Sequence, residues 1–143
     1  LVAKFGFKKN LVAGLISLTL SLILFSIVPS NGTYLLNVLP ASLLGALGMS
    51  LAYIPGTMAS MSGAKPEETG LASGIVNTSY QIGSAIGLAV IAVIAAAVTK
   101  SGITAGVNET EALNNGFQTA FISAAVIGAV SVLIAVFKIK HSK

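Results

Sequence analysis

The chain has 143 residues, of which 55% are hydrophobic and only 8% are charged, and its mean hydropathy is +0.92. Because a water-soluble domain has about a quarter of its residues charged, this composition excludes a soluble globular protein. The net charge of +4 comes from lysines near the ends of apolar segments, a pattern typical of membrane proteins and not of nucleic-acid binding.

Four apolar stretches follow one another, and each is long enough to cross a membrane. No charged residue lies between Lys9 and Lys65, and this interval contains two spans, because one membrane-spanning helix needs about 20 apolar residues. A turn sequence at residues 29–32 separates them. The sequence predicts an all-α integral membrane protein without a separate soluble domain. Its four transmembrane helices are predicted at residues 11–28, 34–60, 70–98 and 117–137.

The lysines predict the orientation of these helices. Seven of the eight basic residues fall on one side of the membrane, and Lys100 alone falls on the other. Because cytoplasmic flanks carry an excess of lysine, both chain ends are expected in the cytoplasm of a multi-pass cell-membrane protein. The lysines on the predicted cytoplasmic side are Lys4, Lys8, Lys9, Lys65, Lys138, Lys140 and Lys143.

The predicted spans contain no ionisable Asp, Glu, Lys, Arg or His side chain. Such residues are the usual carriers of proton coupling inside a membrane, so any proton-coupling residue is expected outside this segment. The only histidine, His141, lies in a basic tail without an acidic partner, and the chain has no cysteine. The sequence therefore predicts no enzyme, no cofactor and no metal site.

Small residues recur at four-residue spacing on the second and third predicted helices. This spacing lets helix backbones approach closely, and helix packing alone explains it without a ligand. Pro55, beside Gly56, lacks the N–H of an internal hydrogen bond and predicts a kink that serves either as a hinge or only as shape. The two sets are Gly48, Ala52 and Gly56, and Ser79, Gly83 and Gly87.

Four polar side chains share one face of the third helix. At about 100° per residue they fall within roughly 100° of one another. Amides in lipid lack hydrogen-bond partners, so this face must meet protein, water or a ligand. Bonding to neighbouring helices and lining of a cavity are both open interpretations. The four residues are Asn77, Tyr80, Gln81 and Ser84.

Two stretches carry a family resemblance, GALGMS at residues 45–50 and PEETGLASGIVNTSYQIGSAIGLA at residues 66–89. They resemble the multidrug-exporter (drug:proton antiporter) branch of the major facilitator superfamily. Residues 4–9 are similar to the basic loop before the third helix of each six-helix half, although Ala3 and Phe7 stand where Asp and Arg are usual. Since the first methionine is Met49, the chain is expected to be a fragment, namely the last four helices of the C-terminal six-helix bundle.

The resemblance implies proton-coupled secondary efflux of hydrophobic or cationic small molecules by alternating access between two bundles. Its implied partners are the remaining N-terminal helices, the bilayer, a small-molecule substrate and protons. The polar face of the third helix would then line the substrate cavity or the contact between bundles, and the residues for packing and gating would be Gly48, Pro55, Gly56, Gly83 and Gly87. A nutrient or metabolite carrier of the same superfamily and a stand-alone four-helix structural or partner-binding protein are the alternatives.

Single cysteines test the predicted orientation, because the chain has none of its own. Asn31→Cys and Asn108→Cys are expected to react with a membrane-impermeant maleimide in intact cells. Lys65→Cys is expected to react only after permeabilisation. The reverse pattern of labelling would overturn the orientation.

Overall fold

The computed structural model describes residues 7–138, and all of its regular structure is helical in that range. Each of its four long helices is apolar enough and long enough to cross a membrane, which confirms the predicted all-α membrane fold. Ala3, Lys4 and the tail residues Lys140, His141 and Lys143 lie outside the described residues. The helices are α1 (Phe7–Ser26), α2 (Leu39–Met61), α3 (Thr69–Thr104) and α4 (Glu109–Lys138).

Two short helical turns precede α2 and α3. A π-helix at Tyr34–Val38 leads into α2, and a 3-10 helix at Pro66–Glu68 leads into α3. Pro40 occupies the first turn of α2, where its missing N–H would have had no partner in any case. The helix type therefore changes from π to α just before this proline.

The third and fourth helices extend beyond the apolar segments that the sequence marks. α3 continues past residue 98 to Thr104, and the chain turns at Gly106, whose φ of 84° favours glycine. α4 begins at Glu109, and Asn108 Oδ1 accepts a hydrogen bond of 2.9 Å from the N–H of Thr110. The 36 residues of α3 span about 54 Å at about 1.5 Å each, more than a bilayer core of about 30 Å. Its ends therefore reach beyond the hydrocarbon or the helix tilts.

α1 and α2 are antiparallel, and their backbones touch. A Cβ added to Gly14 would lie 2.6 Å from the Ala52 nitrogen, and one added to Gly48 would lie 2.6 Å from the Leu18 nitrogen. Two α1 hydroxyls donate across the same contact, Ser17 Oγ to the Leu44 carbonyl at 2.9 Å and Ser21 Oγ to the Ala41 carbonyl at 2.7 Å. Glycine at both positions is what allows so close an approach.

The opposite side of α1 packs against α4, also antiparallel. Phe25 and Phe121 stack with ring centroids 5.1 Å apart. At one end Gln118 Nε2 donates to the Val28 carbonyl at 2.8 Å. At the other end Lys8 Nζ donates to the Val136 carbonyl at 2.8 Å. α1 thus lies between α2 and α4, and a hydrogen bond connects it to α4 near each of its ends.

α3 packs on the far side of α4, chiefly through its C-terminal part. A Cβ on Gly116 would clash with Thr99 Oγ1 and lie 2.6 Å from the Ala95 carbonyl oxygen. α2 and α3 make few contacts, and no residue of α3 is buried. The main helix contacts are therefore α2 with α1, α1 with α4, and α4 with α3, while α3 also meets α2 sparingly. A small core lies at Leu11, Ala52 and Ala135.

Adding one methyl group at the α1–α2 contact is expected to destabilise the fold. Gly14→Ala and Gly48→Ala should each lower the free energy of unfolding by about 1–3 kcal/mol, because backbone atoms cannot yield as a side chain does. Unfolding in detergent, followed by loss of helicity, measures the effect. Gly70→Ala in the first turn of α3, where nothing lies within 4 Å, is the matched control. Equal stability of Gly14→Ala and Gly70→Ala would contradict the backbone contact.

Candidate functional site

Two open grooves lie between α2 and α3, one on each side of Tyr80. The larger has a volume of about 540 Å³ and the smaller about 240 Å³. Val76 and Tyr80 line both. The larger is also lined by Ser60, Ile75, Ser79, Gly83 and Ser84. The smaller is also lined by Tyr53, Thr57, Ser73, Gly74 and Asn77.

Tyr80 bridges the two sparsely connected helices. Its ring centroid lies 5.7 Å from that of Tyr53, with the planes inclined at 35°. Its hydroxyl lies 3.2 Å from the position that a Cβ on Gly56 would occupy. Glycine at position 56 therefore leaves the room that the hydroxyl fills. Because 42% of Tyr80 is exposed, the ring remains accessible from the grooves.

The structure does not place all four polar residues predicted on α3 in the same groove. Tyr80 and Ser84 line the larger groove, Asn77 and Tyr80 line the smaller, and Gln81 lines neither. All four are exposed. Ser84 Oγ donates to the Gln81 carbonyl at 3.0 Å, within the helix. The assignment of these residues to a substrate cavity or to a contact between bundles stays a prediction.

Three polar residues of α2 complete the grooves and did not enter the sequence prediction. Tyr53, Thr57 and Ser60 recur at helical spacing, a signal visible in the sequence. Thr57 Oγ1 donates to the Tyr53 carbonyl and Ser60 Oγ to the Gly56 carbonyl, each at 2.9 Å. Each hydroxyl proton is therefore engaged within the helix, while the hydroxyl oxygens keep acceptor capacity toward the grooves.

The residues predicted for packing and gating divide into two groups. Gly48 and Pro55 are buried in α2, and Gly56 faces Tyr80 and Leu11. Gly83 and Gly87 on α3 have nothing within 4 Å of an added Cβ. At these two glycines no other described residue packs against the surface of α3. A role of the five residues in gating stays a prediction.

The grooves offer aromatic faces, hydroxyls and one amide, and within residues 7–138 no carboxylate or ammonium group lines either of them. No group of His, Asp and Glu suited to a metal ion occurs among residues 7–138. A molecule held here would be bound by apolar contact, stacking and hydrogen bonds. An organic cation can also interact with the face of a tyrosine ring.

Comparison with known sequences identifies the family. The sequence pattern of the Major Facilitator Superfamily matches residues 1–143, the whole chain. Neither the curated proteins nor the solved structures gave a match. Members of this superfamily are multi-pass membrane transporters. With four apolar helices and a match over its full length, the chain belongs to the major facilitator superfamily.

Proposed function

We propose that this chain is part of a proton-coupled secondary exporter of hydrophobic or cationic small molecules. The observation that carries the proposal is the bare polar face of α3 with grooves on both sides of Tyr80. The chain would supply the last four helices of the C-terminal bundle in the cell membrane, with both ends in the cytoplasm. The remaining helices of the transporter would face α3.

The exposure of α3 supports the need for those helices. Asn77 and Gln81 are exposed, and an amide in lipid loses its hydrogen bonds to water without replacement. Gly83 and Gly87 lie on the adjoining strip with no neighbour within 4 Å. A helix with polar and small residues on adjoining strips is suited to face both a cavity and a second bundle.

The lining of the grooves supports an uncharged or cationic substrate. Tyr53 and Tyr80 provide ring faces, and a cation over such a face gains about 0.5–2 kcal/mol. No acidic residue lines either groove, so a bound molecule is not required to place a positive charge at one fixed position. The acidic residues of the chain are Glu67, Glu68, Glu109 and Glu111, which lie at or just before helix N-termini. Proton-coupling carboxylates would therefore come from the rest of the transporter.

The weak α2–α3 contact supports alternating access. α1, α2 and α4 are joined by backbone contact and hydrogen bonds, whereas α2 and α3 meet sparingly around Tyr80. Pro55 and Gly56 lie where Tyr80 meets α2. A sparse contact beside a helix turn that lacks one hydrogen bond is a suitable place for movement.

Transport by the reconstituted transporter that contains this chain tests the proposal. In proteoliposomes with an imposed pH gradient, ethidium is expected to move against the proton flux, and a protonophore should abolish that movement. Gradient-independent uptake of a sugar or amino acid, with no movement of ethidium, would instead indicate the nutrient carrier and overturn the proposal.

Tyr80 is expected to contribute to substrate binding. Tyr80→Ala should raise the KM for ethidium roughly tenfold, as expected for the loss of about 1.4 kcal/mol of binding. Tyr80→Phe should keep most of the affinity, because the ring remains. Initial rates in the same proteoliposomes measure both variants.

Thr78→Ala is the matched control for Tyr80. Thr78 is exposed on α3, points roughly 160° away from Tyr80 and lines neither groove. The KM of the Thr78→Ala variant for ethidium is expected to equal that of the unmodified transporter. If Thr78→Ala and Tyr80→Ala change transport equally, the grooves are not the binding site.

A further inference from the structure

A third groove lies where the N-terminal end of α1 meets the C-terminal end of α4. Its volume is about 450 Å³. Among the residues that the structure describes, two lysines line it and the other lining residues are apolar. The lining residues are Lys8, Lys9, Val12, Ala13, Ile16 and Val136.

This groove, which we call the basic groove, lies at a membrane boundary. The apolar span of α1 begins at Lys8 and that of α4 ends at Phe137. Because the two helices are antiparallel, these ends lie on the same side of the membrane. Ile16 is eight residues farther along α1 than Lys8, or about 12 Å deeper at about 1.5 Å per residue. The groove therefore has charge at the level of the headgroups and an apolar floor at the level of the acyl chains.

The positive charge of the basic groove has no negative partner in its lining. Lys8 Nζ donates to the Val136 carbonyl at 2.8 Å, which uses one of its three donors and leaves two. Lys9 is exposed. None of the four acidic residues of the chain lines the groove. Lys138 directly follows the apolar span of α4.

We propose that the basic groove binds an anionic phospholipid of the surrounding leaflet. The lipid phosphate lies against the ammonium groups of Lys8 and Lys9, and one acyl chain lies along Val12, Ala13 and Ile16. Attraction between clustered lysines and anionic headgroups provides selectivity over zwitterionic lipids. The apolar floor provides selectivity over soluble anions, which bury no chain. The proposal depends on the membrane location of the helices and not on the transported substrate.

A further groove of similar type, at the opposite end of α4, provides a matched comparison. It has a volume of about 540 Å³ and lies between α3 and α4. Among its described lining residues Lys100 is the charged one, beside apolar residues that include Ile103 and Phe117. The first turn of α4 at this same end carries Glu109 and Glu111. The local charge is therefore not positive overall, and selective binding of an anionic lipid is not expected there.

Native mass spectrometry of the full chain in detergent tests the proposal. Phosphatidylglycerol and phosphatidylcholine with identical acyl chains are the probes, and the first is expected to bind at least about fivefold more tightly. Lys9→Gln should reduce phosphatidylglycerol affinity about fivefold, and Lys8→Gln combined with Lys9→Gln about 25-fold. Lys100→Gln should leave it unchanged.

Several outcomes would overturn the proposal. Equal affinity for the two lipids would show that charge plays no part, and an equal loss in Lys100→Gln and Lys9→Gln would show general attraction to the chain. Displacement of phosphatidylglycerol by millimolar glycerol 3-phosphate or inorganic phosphate would indicate a site for soluble anions. Since Lys9 is exposed, Lys9→Gln should keep its helicity in circular dichroism. If the double variant fails to fold, the lipid affinity of Lys9→Gln alone decides the outcome.

Discussion

The direct contact between the backbones of α1 and α2 at Gly14 and Gly48 is the constraint on which the rest of the structure depends. Lipid is as apolar as the helix surfaces, so burial of apolar side chains provides little force between membrane helices. Close van der Waals contact and interhelical hydrogen bonds provide it instead. The two glycines allow Ser17 and Ser21 to reach carbonyls of α2. With α2 fixed on one side, α1 presents its other side to α4 and lies between these two helices.

Hydrogen bonding explains why α3 differs from the other three helices. No buried side-chain nitrogen or oxygen atom of the described residues lacks a hydrogen-bond partner. Some polar side chains of α1 and α4 donate to a neighbouring segment, as Ser21 and Gln118 do, and others, such as Ser26 and Ser123, donate within their own helix. On α3, Ser79 and Ser84 donate only within their own helix, and Asn77 and Gln81 are exposed. The helix with the least internal packing thus carries the polar groups that remain available to another molecule.

The candidate substrate grooves and the basic groove are joined through a short series of contacts. Tyr80 meets α2 at Gly56, and an added Cβ on Gly56 would also lie 3.7 Å from Leu11 Cδ1. Leu11 belongs to the core and directly precedes Val12 of the basic groove. Charge is confined to the helix ends, whereas the grooves beside Tyr80 are neutral. Lipid attraction between α1 and α4 and substrate binding between α2 and α3 would therefore use different chemistry in different parts of the fold.

The sequence by itself determined the four apolar helices, the basic ends and the family, because length, hydropathy and motif order do not depend on which helices touch. It also placed Tyr80 on a polar face, since helical periodicity is a local property. Only the tertiary structure decided that Gly14 is the partner of Gly48, that Tyr53, Thr57 and Ser60 face α3, and that Gln81 lies outside both grooves. The physical reason is that lipid and neighbouring helices are both apolar, so the sequence of a membrane helix does not mark which side is packed. Small residues at four-residue spacing occur both on the buried contact at Gly48 and on the bare strip at Gly83 and Gly87, and only the positions of the neighbouring helices distinguish them.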